Sequence, residues 1–93
     1  MDKIDIYTSP FCGFCHEAKE LLRDKGLTFN EIDIIAEPNR RKEMIDRASG
    51  QKTVPQIFID NNHIGGCDDL YSLNARGKLD PLLGSKNISI KTR

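Results

Sequence analysis

Residues 3–22 read KIDIYTSPFCGFCHEAKELL and join a strand pattern, a cysteine pair and a helix pattern. Residues 3–7 alternate in character and are β-branched or aromatic at several positions, which predicts a β-strand. After a break at residues 8–10 come the two cysteines, and the apolar residues that follow them have helical spacing: Ala18, Leu21 and Leu22. A strand that leads through two cysteines into a helix is therefore the starting point for the fold.

The rest of the chain predicts further segments separated by glycine, proline and turn residues. After Gly26 come a strand at residues 27–32 and a helix with Pro38 in its first turn, Met44, Ile45 and Ala48 on its buried face and Gly50 at its end. Then follow a strand at residues 54–59, a turn at residues 60–62, a short strand around His63 and Ile64, and a helix from Cys67 to near Gly77. A last short helical turn opens at Asp80 and Pro81, with Gly84 behind it.

The order of these elements, β-α-β-α-β-β-α, predicts an α/β fold. A helix between the first two strands makes them parallel, and a short turn between the last two makes them antiparallel. We therefore expect a four-stranded mixed sheet with helices packed on its faces. One compact domain is predicted over residues 1–84, followed by a polar tail at residues 85–93 that lacks a helical stripe.

The composition excludes several classes of protein. The 93 residues are 38% hydrophobic, which is ordinary for a globular chain, and 14 Lys and Arg balance 14 Asp and Glu. A balanced charge gives no overall field that would attract nucleic acid or an anionic membrane. No stretch approaches the roughly 20 apolar residues that span a bilayer, and the first residues lack the apolar run of a signal peptide. We therefore expect a cytoplasmic protein without nucleic-acid or membrane partners.

The cysteine pair carries the chemistry. Cys12 and Cys15 lie between a strand and a helix, with Cys12 at or just before the helix start. Unpaired N–H groups and the helix dipole stabilise a thiolate at that position, and the thiolate is the nucleophile of disulfide exchange. Cys15 lies one helical turn further on, so we expect it to be more buried and less ionised. Cys12 is thus predicted to attack and Cys15 to resolve.

Three other interpretations of the cysteines stay open on the residues alone. A structural zinc site needs four ligands, whereas the chain offers one cysteine pair, a lone Cys67 and two scattered histidines. The sequence from Cys12 to His16 matches the C-x-x-C-H pattern of covalent haem attachment, which normally accompanies export. The third interpretation is two buried cysteines that act as small hydrophobic residues. The odd number of cysteines argues against a disulfide-stapled scaffold.

Three separated motifs together resemble the glutaredoxin family. They are the strand–Cys-x-x-Cys–helix unit, Thr-Val-Pro at residues 53–55 and Gly-Gly-Cys-Asp-Asp-Leu at residues 65–70. The resemblance covers residues 4–83 and is closest to the small bacterial dithiol members. It implies a thioredoxin-like fold and glutathione-dependent reduction of glutathione mixed disulfides and protein disulfides, as part of electron transport and cell redox homeostasis. It also implies a monomer whose partners are glutathione, as co-substrate, and disulfide-containing or glutathionylated proteins.

The resemblance also implies roles for particular residues. Catalysis falls to Cys12 as nucleophile and to Cys15 as resolving thiol. Glutathione contacts are carried over to eight residues: Cys12, Phe14, Thr53, Val54, Pro55, Gly66, Cys67 and Asp68. No resident metal site is predicted.

Each of these motifs also has a physical interpretation. A cis Pro55 would present the Val54 backbone beside Cys12, where an extended peptide can pair with it. The N-terminus of the helix at Cys67 suits the γ-glutamyl carboxylate of glutathione, and Asp68 can accept from the ammonium of the same residue. Plain N-capping is the competing interpretation for Asp68 and Asp69.

The thiol of Cys67 and the basic residues of the second helix are not expected to take part in the chemistry. Cys67 is expected to be a semi-buried thiol without a catalytic part, with regulatory oxidation as its alternative. Arg40, Arg41 and Lys42 could approach the glycine carboxylate of glutathione, but a solvated helix face is the favoured interpretation.

Two departures from the family pattern leave a second function open. Ser9, Pro10 and Phe11 stand where many members carry a lysine. Gly13 and Phe14 resemble the centre of the monothiol branch, whose members bind iron–sulfur clusters with glutathione as a co-ligand. The alternative is therefore a [2Fe–2S] carrier formed by a dimer, in which Cys12 of each chain and two glutathiones supply the thiolates. Thioredoxin proper is a third and weaker match, because the chain has no tryptophan.

Overall fold

The computed structural model describes residues 3–79 of the chain. It contains four strands, β1 (Ile4–Thr8), β2 (Asn30–Asp33), β3 (Gln56–Ile59) and β4 (Asn62–Gly65). Three helices alternate with them: α1 (Gly13–Asp24), α2 (Arg40–Arg47) and α3 (Cys67–Ala75). The order matches the prediction from the sequence. The predicted turn at Asp80 and Pro81, the domain end at residue 84 and the polar tail lie outside the described residues.

The four strands form one mixed sheet in the order β2-β1-β3-β4. β1 is parallel to β2, with Tyr7 opposite Ile32, and antiparallel to β3, with Ile6 opposite Ile57. β3 and β4 form an antiparallel hairpin whose register shifts between Ile57 and Phe58. The predicted four-stranded mixed sheet is confirmed, including the direction of each neighbouring pair.

The sheet carries a hydrophobic cluster on each face. Since side chains alternate along a strand, β1 sends Ile4 and Ile6 to one face and Tyr7 to the other. The first cluster packs α1 and α3 against the sheet and contains Ile4, Ile6, Ala18, Leu22, Ile57, Ile59, Cys67, Leu70 and Leu79. The second packs α2 against the opposite face and contains Tyr7, Ile32, Ile34, Met44, Ala48 and Phe58. Helices therefore cover both faces of the sheet, as predicted.

Three element boundaries differ from the sequence prediction. β2 begins at Asn30 rather than at residue 27, because Leu27 N–H bonds to Leu22 O at 3.0 Å and completes the end of α1. β3 begins at Gln56 rather than at Val54, because Pro55 has no N–H for the ladder and its peptide bond with Val54 is cis.

The third difference concerns the start of α2. The helix begins at Arg40, two residues after Pro38. Pro38 lies in the preceding turn, where its carbonyl accepts from Arg41 N–H at 3.2 Å. The prediction that Pro38 occupies the first turn of this helix was therefore wrong.

A buried polar cluster connects β1 with α2. Asp5 is only 4% exposed, and its carboxylate accepts from an Arg47 guanidinium nitrogen at 3.3 Å. The same nitrogen donates to the hydroxyl oxygen of Tyr7 at 2.9 Å, and that hydroxyl donates to the Glu43 carboxylate. Arg47 also lies over the ring of Phe58, with its guanidinium carbon 4.0 Å from the ring centroid. Pairing of this kind keeps a carboxylate stable inside a sheet.

None of the helices within residues 3–79 is both long enough and apolar enough to cross a membrane.

Replacing Leu22 by alanine should destabilise the fold. The Leu22 side chain of α1 is fully buried against the sheet. Truncation to alanine therefore loses the transfer free energy of the removed atoms and leaves a cavity. We expect the free energy of unfolding in urea to fall by about 2–5 kcal/mol. The matched control is Ile35→Ala, because Ile35 is 53% exposed, and its effect should stay within about 0.5 kcal/mol. Equal losses in the two variants would contradict this assignment of the core.

Candidate functional site

Cys12 is the N-cap of α1. Its backbone is extended, with φ −110° and ψ 114°, and its sulfur accepts a hydrogen bond from Cys15 N–H at 3.3 Å. The N–H of Cys12 in turn bonds to Ser9 O at 3.2 Å, which closes the turn after β1. The predicted position of Cys12 at the helix start is confirmed. A cysteine at a helix N-terminus is a common setting for a nucleophilic sulfur.

Cys15 lies beneath Cys12 and has a different environment. It is 1% exposed, whereas Cys12 is half-buried. Burial raises the pKa of Cys15 to about 12, and the hydrogen bond and negative charge of Cys12 add to the rise. The backbone of Ser9 and the ammonium of Lys19 oppose it, so they lower this pKa. The expectation that Cys15 is the more buried thiol is confirmed, and its raised pKa supports the expectation that it is weakly ionised.

The loop before β3 approaches the other side of Cys12. The Cys12 thiol donates to Val54 O at 3.5 Å, and the peptide bond between Val54 and Pro55 is cis, as expected from the resemblance. Cys12 and Val54, which are 42 positions apart in the chain, are therefore in contact through the Cys12 sulfur. The arrangement places a backbone carbonyl, a reactive sulfur and a helix N-terminus at one point.

A cleft of about 320 Å³ opens beside this point. Seven of the eight residues predicted to contact glutathione line it: Phe14, Thr53, Val54, Pro55, Gly66, Cys67 and Asp68. The eighth, Cys12, adjoins the cleft through its contact with Val54. The structure thus brings together the three sequence motifs, which are separated by up to about 50 residues in the chain.

Three further residues line the cleft without having been predicted: Gln51, Gln56 and Asp69. For Asp69 the sequence suggested only a helix cap. Gln56 could have been recognised from the sequence as a candidate site residue, because it is a polar residue inside an otherwise apolar run at residues 54–59. Gln51 follows the end of α2, and no pattern in the sequence distinguishes it from other loop residues.

The start of α3 forms one wall of the cleft. Gly66 is its N-cap, and the Asp69 carboxylate accepts from Gly66 N–H at 2.9 Å. Asp69 therefore does the N-capping, whereas the Asp68 carboxylate is exposed and forms no hydrogen bond or ion pair with another residue of the 3–79 range. Gly65 has φ +118°, and a Cβ there would lie 2.2 Å from Asp69 Oδ2. Gly65 thus lets the capping carboxylate sit against the backbone.

Cys67 is the first residue of α3 and is 5% exposed. Burial raises the pKa of its thiol, and the negative charges of Glu17, Asp68 and Cys12 raise it further. A thiol in this environment stays protonated and is a poor nucleophile. These features support the expectation that Cys67 has no catalytic part.

The basic residues of α2 stay away from the cleft. Arg40 pairs with Glu43 at 2.9 Å, and Lys42 pairs with Asp46 at 3.1 Å. Neither these two nor Arg41 lines the cleft. Their placement fits the favoured interpretation of a solvated helix face.

The C-x-x-C-H pattern ends at an exposed histidine. The side chain of His16 is 69% exposed and lies 3.9 Å from Glu20. Within residues 3–79, no three His, Cys, Asp or Glu side chains are grouped in a way that could hold a metal ion.

Comparison with known proteins gives consistent matches. A model of the glutaredoxin family matches residues 4–64. Glutaredoxin 3 of Escherichia coli K12 is 59% identical over 83 residues, which are 89% of this chain and 99% of that protein. The solution structure of a Brucella melitensis glutaredoxin is 53% identical, with a TM-score of 0.76 and 92% coverage of each chain. A crystal structure of a buckwheat glutaredoxin–glutathione complex is 30% identical, with a TM-score of 0.81 over 88% of this chain and 76% of that one. These neighbours confirm the predicted thioredoxin-like fold.

The two cysteines of the pair should differ sharply in alkylation. Because the pKa of Cys15 is raised to about 12, its thiol stays protonated at neutral pH and gains thiolate only as the pH rises toward that value. Iodoacetamide at pH 7 should therefore modify Cys12 and leave Cys15 and Cys67 intact, as measured by peptide mass spectrometry. The control is the same reaction in urea, where all three should react. Equal labelling of Cys12 and Cys15 in the native protein would contradict the assigned difference in burial and ionisation.

Proposed function

The chain belongs to the glutaredoxin family, and on that premise we propose that it is a glutathione-dependent thiol–disulfide oxidoreductase. The observation that carries the proposal is the position of the Cys12 sulfur, which receives the Cys15 N–H and adjoins Val54 O at the rim of the cleft. A nucleophilic thiolate beside a groove for an extended peptide is what reduction of a glutathione mixed disulfide requires.

In the first reaction Cys12 attacks the glutathionyl sulfur of a mixed disulfide. The old S–S bond breaks, the substrate leaves as a thiolate that takes up a proton, and glutathione stays on Cys12. A second glutathione thiolate then attacks this disulfide. It releases glutathione disulfide and restores the Cys12 thiolate, so in the net reaction the glutathionyl group of the substrate leaves together with one free glutathione as glutathione disulfide.

Protein disulfides need the second thiol. After Cys12 has formed a mixed disulfide with the substrate protein, Cys15 loses its proton and attacks the Cys12 sulfur. The reduced substrate leaves, and a Cys12–Cys15 disulfide remains for two glutathiones to reduce. Burial is the first cause of the raised Cys15 pKa, and the hydrogen bond and the charge of Cys12 are two further causes. Both change once Cys12 is in a disulfide, and the backbone of Ser9 and the ammonium of Lys19 then favour the thiolate.

The cleft offers binding groups for the cysteinyl and the γ-glutamyl parts of glutathione. The Val54 backbone suits the cysteinyl part in an extended conformation. The first N–H groups of α3 suit the γ-glutamyl carboxylate, and the exposed Asp68 carboxylate suits the ammonium group of the same residue. The buckwheat glutaredoxin–glutathione complex supports glutathione as the ligand. We therefore propose the contacts at Cys12 and at Phe14, Thr53, Val54, Pro55, Gly66, Cys67 and Asp68.

We further propose that the protein acts as a monomer in the cytoplasm, on glutathionylated and disulfide-containing proteins, as part of electron transport and redox homeostasis. The cluster carrier remains the alternative. Cys12 is the one accessible thiol within residues 3–79, so a [2Fe–2S] cluster would need Cys12 from two chains with two glutathiones. Phe11 and Phe14 flank it and are 86% and 59% exposed, which gives such a dimer an apolar contact. One accessible thiol beside a cleft is, however, sufficient for disulfide exchange by a single chain.

Variants of Cys12 and Cys15 should distinguish the reduction of glutathione mixed disulfides from the reduction of protein disulfides. Cys12→Ser should abolish turnover of a glutathionylated peptide, because the nucleophile is lost. Cys15→Ser should keep that turnover but lose reduction of protein disulfides, because the resolving thiol is lost. Both rates are measured as NADPH consumption in a coupled assay with glutathione reductase, and Asp46→Asn, at an exposed position of α2 outside the cleft, serves as the control with both activities retained.

Negligible turnover by the wild-type protein would contradict the catalytic proposal. A brown dimer after anaerobic purification would then favour the cluster carrier.

Asp68→Asn should weaken glutathione binding without affecting the thiol chemistry. The substitution keeps the shape of the side chain but removes the charge that we propose for the ammonium group. Hydrogen bonds to charged groups are worth about 1.5–3 kcal/mol, so KM for glutathione should rise about tenfold or more. The alkylation rate of Cys12 should change little. The matched control is Asp46→Asn on α2, and an equal KM for Asp68→Asn and the wild-type protein would rule out this role.

A further inference from the structure

Gln56 is a fully buried polar side chain at the start of β3. Its amide nitrogen donates to Gln51 Oε1 at 3.2 Å and to Thr53 Oγ1 at 3.2 Å. Its amide oxygen lies 2.6 Å from His63 Nε2. The buried amide thus has partners at both ends, and two of these partners, Gln51 and Thr53, are exposed residues that line the cleft.

The direction of these hydrogen bonds follows from the chemistry of the groups. The Gln56 amide oxygen can only accept, so His63 Nε2 carries the hydrogen and donates. The Gln56 amide nitrogen can only donate, so Gln51 Oε1 and Thr53 Oγ1 both accept from it. The groups left for a ligand are the amide NH₂ of Gln51 and the hydroxyl hydrogen of Thr53. This wall of the cleft therefore presents donors, which suit an anion.

His63 is held in place away from the cleft. Its ring stacks on Phe58 with a centroid distance of 5.0 Å and an interplanar angle of 27°, and Arg47 lies over the same Phe58 ring. His63 itself does not line the cleft. Any effect of His63 on a ligand there must pass through Gln56.

We propose that His63 is a positioning residue that, through Gln56, orients Gln51 and Thr53 as hydrogen-bond donors to the glycine carboxylate of glutathione. The inference rests on the proposed function and deepens it. The γ-glutamyl end of glutathione is assigned to α3 and its thiol to Cys12, which leaves the glycine carboxylate as the remaining charged group. Neither the basic residues of α2 nor Lys52 lines the cleft, and the donors that this wall presents to the carboxylate are neutral.

The decisive experiment pairs a histidine variant with a modified ligand. His63→Phe keeps an aromatic ring to stack on Phe58 but removes the N–H, whereas His63→Gln retains a side-chain donor. KM and kcat are measured for glutathione and for its glycine ethyl ester, which lacks the carboxylate charge. The matched control is Asn62→Ala, because Asn62 is an exposed residue of β4 that does not line the cleft.

We expect His63→Phe to raise KM for glutathione about five- to tenfold at unchanged kcat. KM for the ethyl ester should not change, because the oriented donors have no carboxylate to bind, and His63→Gln should recover part of the glutathione affinity. A merely structural role would raise KM for both ligands equally or lower kcat. Either of those results, or an unchanged KM for glutathione, would overturn the inference and leave the proposed function standing. A wild-type protein without glutathione turnover would overturn both.

A measurement on the wild-type protein tests the hydrogen-bond chain from His63 through Gln56 even if a variant fails to fold. With ¹⁵N-labelled histidine, the nitrogen chemical shifts at pH 8 report which ring nitrogen of His63 carries the hydrogen. The proposed hydrogen-bond chain requires a hydrogen on His63 Nε2. A neutral His63 protonated only on Nδ1 would reverse the direction of the Gln56 hydrogen bonds and overturn the inference.

Discussion

The rest of the structure depends on the burial of β1 between its two neighbours. All five of its residues are buried, and it is the strand that pairs with β2 on one side and β3 on the other. Because the strand is central, the negative charge of the buried Asp5 carboxylate must be compensated inside the fold. The guanidinium of Arg47 on α2 supplies the positive charge. The pairing of β1 with β2 runs as far as Thr8, and the turn that follows brings Cys12 to the start of α1.

The unequal thiols are a consequence of that geometry. Cys12 is held at a helix terminus and at the edge of a cleft, where its sulfur meets backbone groups from two elements. Cys15, one turn later, faces the core that α1 forms with the sheet. Burial is therefore the main reason why the two sulfurs differ, and the charge of one acts on the ionisation of the other. The reactivity of the two cysteines therefore depends on burial as much as on their spacing in the sequence.

The sequence predicts those parts of the site that depend on local rules. The position of Cys12 follows from strand, turn and helix patterns, and the burial of Cys15 follows from helical periodicity. The starts of β2 and β3 were missed, because a hydrogen bond to Leu22 and the cis bond before Pro55 override strand propensity there. The partners of Gln56 were missed too, because side chains from the loop before β3 and from the neighbouring strand β4 meet it only in the folded structure.

Gly65 and Asp69 have a further consequence, for the order in which this sequence can change. While Asp69 keeps its carboxylate, a Cβ at position 65 would lie 2.2 Å from it, so no single substitution at 65 is accommodated without moving the cap of α3. Loss of Asp69 alone costs only about 0.5–2 kcal/mol, the usual value of a helix cap. A side chain at 65 is therefore better accommodated after Asp69 has been replaced, and the φ of +118° at this position would strain that side chain even then.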